Sequence, residues 1–268
     1  MRGIGRAIVT SLSEAGAALA IGDPNFDGAS ELAEELSRRF GNPVVGLKLD
    51  VTDIDSFGAF LDSAREKLGF VDALVNNAGI MWCGPFEDEP AATALRQLEV
   101  NFLGLQHGIK LAIPAMRSAH KGHIVLIHSA SAVLAIPGEA TYSATKFAGL
   151  GYARAVREEL RGSGISISVI MPGVVDTELA VGTGTGATRI LTPLEVARVV
   201  VDVVSKPRPE VYIPRKIGLL ARAGALLPTS SRDALFRKLI PNQLAALADP
   251  SIRSDYERRT GLGTRSEE

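Results

Sequence analysis

One cysteine, Cys83, stands among 268 residues, so no internal disulfide can form and the fold must rest on its core, as suits a reducing compartment. Neither sign of charge is in excess. Lys and Arg number 29 against 30 Asp and Glu, a formal net charge of −1, which removes any global electrostatic case for nucleic acid as a partner. No apolar run approaches the roughly 18–20 residues that a membrane-crossing helix needs. No basic stretch followed by an apolar core opens the chain, so a cytoplasmic location is the expectation. The four histidines, His107, His120, His123 and His128, fall in no metal-ligand spacing; they are read as structural or surface groups, and no metal is expected.

What is present is alternation. Short apolar, β-branched runs at 18–22, 44–49, 73–75, 123–128, 166–170 and 211–213 predict strands. Helical patterns at 3–17, 28–39, 53–68, 90–118, 141–162 and 193–205 lie between them. Strand and helix in alternation imply right-handed crossovers, hence a three-layer α/β/α, Rossmann-like doubly wound parallel sheet. Residues 1–248 are expected to form a single domain and 249–268 a loosely held polar tail. Within that domain, 206–248 carries eight Lys and Arg against Glu210 and Asp233, with Leu235, Phe236, Leu239 and Ile240 at helical spacing. It reads as a pair of amphipathic helices over a substrate cleft or a subunit interface. A lid for a lipophilic substrate or a membrane-touching surface is the other reading. Residues 182–187 (GTGTGA) predict a flexible loop, within a segment near 178–191 that closes over substrate.

The chemistry gathers mid-chain. Tyr142 and Lys146, four residues apart on an expected helix, share a face. A lysine cation about 4 Å from the phenol, at an effective dielectric of about 20, favours the phenolate by roughly 4 kcal/mol, or about three pKa units. That suits acid–base work, although the same pair also fits a solvated helix face. Ser129, thirteen residues earlier, falls at a strand's carboxyl end, where ligands gather in open α/β sheets. Around these lie residues 76–79 (NNAG) after one strand, Asn101 within 100–104 (VNFLG), and 172–177 (PGVVDT) after another. At the amino end, residues 2–5 (RGIG) run straight into a helix with no strand before them.

With these motifs in this order, the chain resembles the short-chain dehydrogenase/reductase family, compact type, over nearly its whole length. The resemblance implies a nicotinamide cofactor exchanging hydride with a substrate alcohol or ketone. Tyr142 would be the acid/base, Ser129 would orient the substrate oxygen, and Lys146 would lower the tyrosine pKa and bind the nicotinamide ribose. Asn101 would hold a water that extends the proton relay. Gly3, Ile4, Gly5, Asn77, Ala78 and Gly79 would border the cofactor, and Pro172, Gly173, Val175 and Thr177 its nicotinamide end. Asp23 would meet the adenosine ribose and repel a 2′-phosphate, favouring NAD over NADP, whereas Arg2 pulls toward NADP. Asp50 and Val51 would meet the adenine. Both aspartates also fit a helix cap or turn, a role that suits Asp53 better still.

The family pattern opens with a strand and a Thr-Gly-x-x-x-Gly-x-Gly loop. This sequence starts within the loop, so the usual first strand is expected to be missing, with the strands at 18–22 and 73–75 left unpaired where it would lie. The expectation is that the true start lies upstream. An inactive, truncated or dinucleotide-sensing product is the rival to an enzyme. Relatives are commonly dimers or tetramers through the tyrosine's helix, so a homo-oligomer is expected. Cys83 and Trp82 are read as packing groups.

Overall fold

A computed structural model describes residues 2–246 and 250–263. Six strands, all parallel to their neighbours, carry the fold: β1 (Leu19–Asp23), β2 (Val44–Lys48), β3 (Ala73–Asn76), β4 (Gly122–Ile127), β5 (Ile165–Pro172) and β6 (Glu210–Ile213). Each end falls within two residues of the sequence expectation. The strands form two sheets, β1-β2 and β3-β4-β5-β6. Leu19 pairs with Val44, Ala73 with His123, Gly122 with Ile165 and Val169 with Glu210. Among the described residues no strand precedes the first helix and no ladder joins β1 to β3. The effect is visible in burial. Every residue of β4 is buried, while β1 and β3 bury only Ile21 and Leu74.

Helices cover both faces. Alternate residues of β4 point to opposite layers. Ile124 and Leu126 pack with Phe57 and Leu61 of α3 (Ile54–Leu68), Ile109 and Met116 of α5 (Gly104–Ser118), and Leu150 and Ala153 of α6 (Ala140–Glu159). Val125 and Ile127 meet Ile8 and Leu12 of α1 (Gly3–Glu14) and Val200 and Val203 of α7 (Pro193–Ser205). Here α2 (Phe26–Phe40) lies against β1 and β2 through Leu32, Ala33 and Leu36. Gly46 of β2 makes that contact feasible, since a Cβ there would sit 2.6 Å from the Ala29 carbonyl oxygen. Asp53 caps α3, accepting from Asp55 N at 2.9 Å and Ser56 N at 3.2 Å, as its sequence position suggests.

Two expectations need correction. The helix expected over 90–118 is interrupted: α4 (Ala91–Leu98) passes through a π-helical turn, Glu99–Leu103, before α5 begins. The wider turn holds Asn101, whose side chain bonds to backbone at residue 80, and such insertions cluster at functional positions. The expected tail is also partly folded. After α8 (Arg215–Ala225), α9 (Thr229–Leu239) and α10 (Gln243–Ala246), residues 250–263 return to the body of the protein and form α11 (Ser254–Thr260). Arg253, 1% exposed, donates to the carbonyls of Leu179 at 2.9 Å, Val181 at 2.8 Å and Met81 at 2.7 Å. Tyr256 and Leu262 join Ile80, Trp82 and Val100 in a small core. Residues 247–249 and 264–268, the remainder of that tail and of the domain's expected end, lie outside the described residues. No helix among the described residues is long and apolar enough to cross a membrane.

Candidate active site

A cavity of about 520 Å³ opens beside the carboxyl ends of β4 and β5, the edge where ligands bind in such sheets. The strand ladders deliver its inner wall. Ser129 follows β4, and its hydroxyl accepts from Ser131 N at 3.1 Å while donating to Ser131 Oγ at 3.1 Å. Asn77, Ala78 and Gly79 follow β3, and Pro172, Gly173, Val175 and Thr177 end or follow β5; all line the cavity. From the far side enter Gly3, Ile4 and Gly5, the first turn of α1. Gly3 has φ +51°, a conformation that suits glycine, and a Cβ there would press on Thr177 at 3.1 Å.

Tyr142 and Lys146 lie on the inward face of α6, with Ser143, Thr145 and Gly149 also buried on that helix. They are 6% and 3% exposed, which rules out the solvated pair. The Lys146 Nζ stands 5.3 Å from the Tyr142 ring centroid. Burial pushes the lysine down to about 8. It also drives the phenol up, with the nearby Glu139 charge adding to the rise and a hydrogen bond with Ser129 opposing it. The expected lowering of the phenol by Lys146 is therefore not what this pocket produces. Desolvation penalises phenolate and ammonium alike, and it is the largest cause of both shifts.

Asn101 locks the arrangement. Its Oδ1 accepts from Ile80 N at 2.8 Å, and its Nδ2 donates to Ile80 O at 2.9 Å and Thr145 Oγ1 at 3.1 Å. A Cβ on Gly79 would lie 3.4 Å from both Asn101 Oδ1 and Lys146 Nζ. Beside them a hollow of about 10 Å³, bordered by Asn101, Lys146 and Val51, is about one water in size. Asp23 and Asp50 line neither space. Asp23 accepts from Asn25 N at 2.9 Å; Asp50 accepts from Thr52 N at 2.9 Å and Thr52 Oγ1 at 2.7 Å. Burial alone would raise the Asp50 carboxyl, but the Thr52 bonds and the Arg96 charge leave it below its usual range.

Several residues on the wall were given no site role of their own in the sequence reading. Glu139, 4% exposed, sits three residues before Tyr142, at the N-cap of α6. Ser131 Oγ donates to it at 3.0 Å, and burial raises its carboxyl to about 7. His128 also borders the cavity, and burial with the Lys146 charge holds it neutral, down at about 3. Tyr256 and Thr260 come from α11, and Ile217, Leu220, Leu239 and Ile240 form an apolar outer wall from α8, α9 and the residue after it. Nothing local in the sequence aims Tyr256 and Thr260 at the site, whereas α8 and α9 are the amphipathic pair that the sequence reading offers as a cover for a substrate cleft. The loop at 182–187 is pinned rather than free: Gly184 N donates to Gln243 Oε1 at 2.6 Å, Ala187 N to Leu239 O at 3.1 Å, and Lys216 Nζ to Ala187 O at 2.6 Å. Cys83 and Trp82 are buried packing groups, as read.

Comparison with known proteins fits this geometry. A family model described as short chain dehydrogenase matches residues 1–186. A glycine betaine reductase of Emericella nidulans is 33% identical over 76% of this chain, which spans only 17% of that protein's length. A trans-4-hydroxycyclohexanecarboxylate dehydrogenase of Sinomonas cyclohexanicum is 32% identical over 68% of this chain and 71% of its own. An alcohol dehydrogenase of the archaeon Thermococcus sibiricus, solved with 5-hydroxy-NADP, superposes with a TM-score of 0.71 at 28% identity, over 79% of this chain and 91% of that one. With more than half of its length matched by the family model, the chain belongs to the short-chain dehydrogenase/reductase family of NAD(P)-dependent oxidoreductases.

Proposed function

We propose that this protein interconverts a secondary alcohol and its ketone in the cavity, with Tyr142 moving the hydroxyl proton and Ser129 holding the substrate oxygen. The observation that carries the reading is the convergence of Ser129 with the buried Tyr142 and Lys146 on one cavity, which the first turn of α1 also lines. The residues present fit a nicotinamide dinucleotide. No side chain caps α1 and no acidic residue lies in its first turn, so its free N–H groups suit a pyrophosphate. Gly3 to Gly5, Asn77 to Gly79 and the segment from Pro172 to Thr177 would hold that group, with Lys146 at its ribose. When bound, the nicotinamide supplies or accepts the hydride.

The chain's own residues do the rest. Tyr142 takes the alcohol proton or gives it back, and the water-sized hollow beside Asn101 and Lys146 suits a water that carries it onward. Leu134, Ile136, Ile217, Leu220, Leu239 and Ile240 give the outer half an apolar lining suited to a lipophilic, ring-sized substrate. NAD is the preferred nucleotide. Asp23 places a carboxylate at the carboxyl end of β1, and Arg2, the residue that would favour a 2′-phosphate, is paired with Glu178. A homo-oligomer through α6 is supported by exposed Phe147 on that helix, with Leu95 and Leu98 exposed on neighbouring α4.

Thermal unfolding with each nucleotide tests the cofactor reading. A ligand at a hundred times its dissociation constant stabilises the fold by about 2.7 kcal/mol. A larger shift with NAD than with NADP is expected, and the reverse would remove Asp23 from its role. Reduced-nicotinamide absorbance with a panel of cyclic secondary alcohols then tests turnover; binding without turnover of any of them would favour a dinucleotide sensor.

A further inference from the structure

We propose that Glu139 is the proton acceptor of a second relay, which runs from Tyr142 through the hydroxyls of Ser129 and Ser131 to the Glu139 carboxylate. The inference rests on the reading of Tyr142 as the acid/base and adds a route for its proton that leads away from Lys146 and Asn101.

From Ser129 inward the hydrogen bonds are continuous. Ser129 shares the cavity wall with Tyr142, within reach of the phenol, and donates to Ser131 Oγ at 3.1 Å; Ser131 in turn donates to Glu139 Oε2 at 3.0 Å. The Ser131 amide fixes the Ser129 hydroxyl at 3.1 Å, so the wire is held by backbone as well as side chains. All of its outer members are sheltered: Tyr142 is 6% exposed, Ser131 1% and Glu139 4%. Glu139 stands at the head of α6, yet its side chain makes no capping bond to that helix. Its carboxylate is turned instead to Ser131 and Gln243, a costly use of a buried acid if it served only to begin a helix.

The charges around it are few. Arg253 faces Glu139 from the returning C-terminal segment, while Tyr256 and Cys83 face the phenol and the Lys146 cation lies over its ring. Burial lifts the carboxyl to about 7, so both of its forms are within reach near neutral pH. An ordinary carboxylate would hold a proton too weakly for this task. During alcohol oxidation the phenol passes its proton to Ser129 Oγ as Ser129 passes its own to Ser131 and Ser131 its own to Glu139 Oε2. One O–H bond forms for each that breaks, the phenolate is restored, the carboxylate becomes a carboxylic acid, and no electrons change hands. Ketone reduction runs the same wire backward. Gln243 also holds Gly184 N and O, at 2.6 and 3.2 Å, which seats the relay's end against the loop over the cavity.

The first test needs no substrate. In the apo protein labelled at glutamate carboxyl carbons, with the Glu139 signal assigned by its loss in E139Q, that carbon should titrate near pH 7. In S131A its midpoint should move upward, because the lost hydroxyl bond favoured the carboxylate. Titration in the ordinary carboxylate range, or no movement in S131A, overturns the relay. The second test is the pH profile of kcat with NAD and cyclohexanol. A limb near pH 7 should be present in the wild type and absent from both E139Q and S131A, with KM and nucleotide affinity held within about twofold, a span under 0.5 kcal/mol. S131A keeps the test alive should E139Q fail to fold. A wild-type profile in S131A beside an inactive Tyr142→Phe sinks the relay alone; an active Tyr142→Phe sinks the acid/base reading beneath it.

Discussion

Ser129 reaches the cavity from the end of β4, a strand buried at all six positions and paired on both sides. Ile217 and Leu220 reach the same cavity from α8, a helix that buries only Ile217, Gly218 and Gly224. One wall is therefore anchored by a parallel ladder and a continuous hydrophobic core. The other hangs on a handful of long-range polar bonds, chiefly those of Arg253, Gln243 and Lys216. Rigid elements hold reacting groups to the tolerance that chemistry demands. A wall that only excludes water and selects shape can be built from fewer contacts, and can change without disturbing the chemistry.

The sharpest break is chemical. Tyr142→Phe keeps the ring but removes the group that moves the proton, and turnover should fall by about 10²–10⁴, the usual worth of general acid–base catalysis. Nucleotide affinity and thermal midpoint should hardly move; a comparable loss of binding would show that the phenol mainly shapes the pocket.

Breaking the other wall should cost stability first. Arg253→Met strips the Leu179, Val181 and Met81 carbonyls of their donor and removes a buried cation beside Glu257. The expected loss is about 3–5 kcal/mol, read from urea unfolding. Limited proteolysis should then cut near residues 182–187 before it reaches the strands. A variant that unfolds as stably as the wild type would mean the C-terminal segment is held by its apolar contacts alone.

The junction between the walls is Glu139, and pH probes it. Its folded carboxyl is raised to about 7 from an ordinary 4.5, so the native state binds the proton more tightly than the unfolded chain. Stability is thus full below the unfolded value and falls as pH rises toward about 7, then levels, by on the order of 3 kcal/mol. Wild type minus Glu139→Gln, compared by urea unfolding at about pH 5 and about pH 8, isolates that slope from the opposite effect of the buried, neutral His128. Parallel curves would show that Glu139 titrates normally.

The smallest effect lies in the scaffold. Thr192 and Glu195 form a capping box on α7, with Glu195 N to Thr192 Oγ1 at 3.3 Å and Thr192 N to Glu195 Oε2 at 2.9 Å. Thr192→Ala should lower stability by about 1 kcal/mol and leave kinetics alone, a check on how well the anchored wall absorbs damage.

How much was legible follows the same division. The strands, the inward pair Tyr142 and Lys146, and the segments after β3, β4 and β5 were readable because each depends on a period or a local turn. The π turn at Asn101 was hidden, since a single widened turn leaves the apolar spacing of 90–118 almost unchanged. Glu139 was hidden: it precedes the helix expected over 141–162, and only packing shows that its carboxyl is buried. Arg253, Tyr256 and Leu262 sit in a segment so polar that solvent was the natural reading, and their burial is decided by carbonyls more than 70 positions away. The upward shift of the phenol is hidden from the sequence for a related reason. A pairwise charge argument sees Lys146 but not the desolvation that the surrounding wall imposes on both partners.

By itself, the sequence determined the α/β class, the parallel order of the strands, and which residues stand at their carboxyl ends, because periodicity and crossover handedness act over short stretches of chain. Only the tertiary structure decided that residues 250–263 fold back onto the cavity, that Asp23 and Asp50 stay off its wall, and that Glu139 shares a hydroxyl chain with Ser129. Those outcomes turn on which polar groups lose water together, and no local pattern of residues records that.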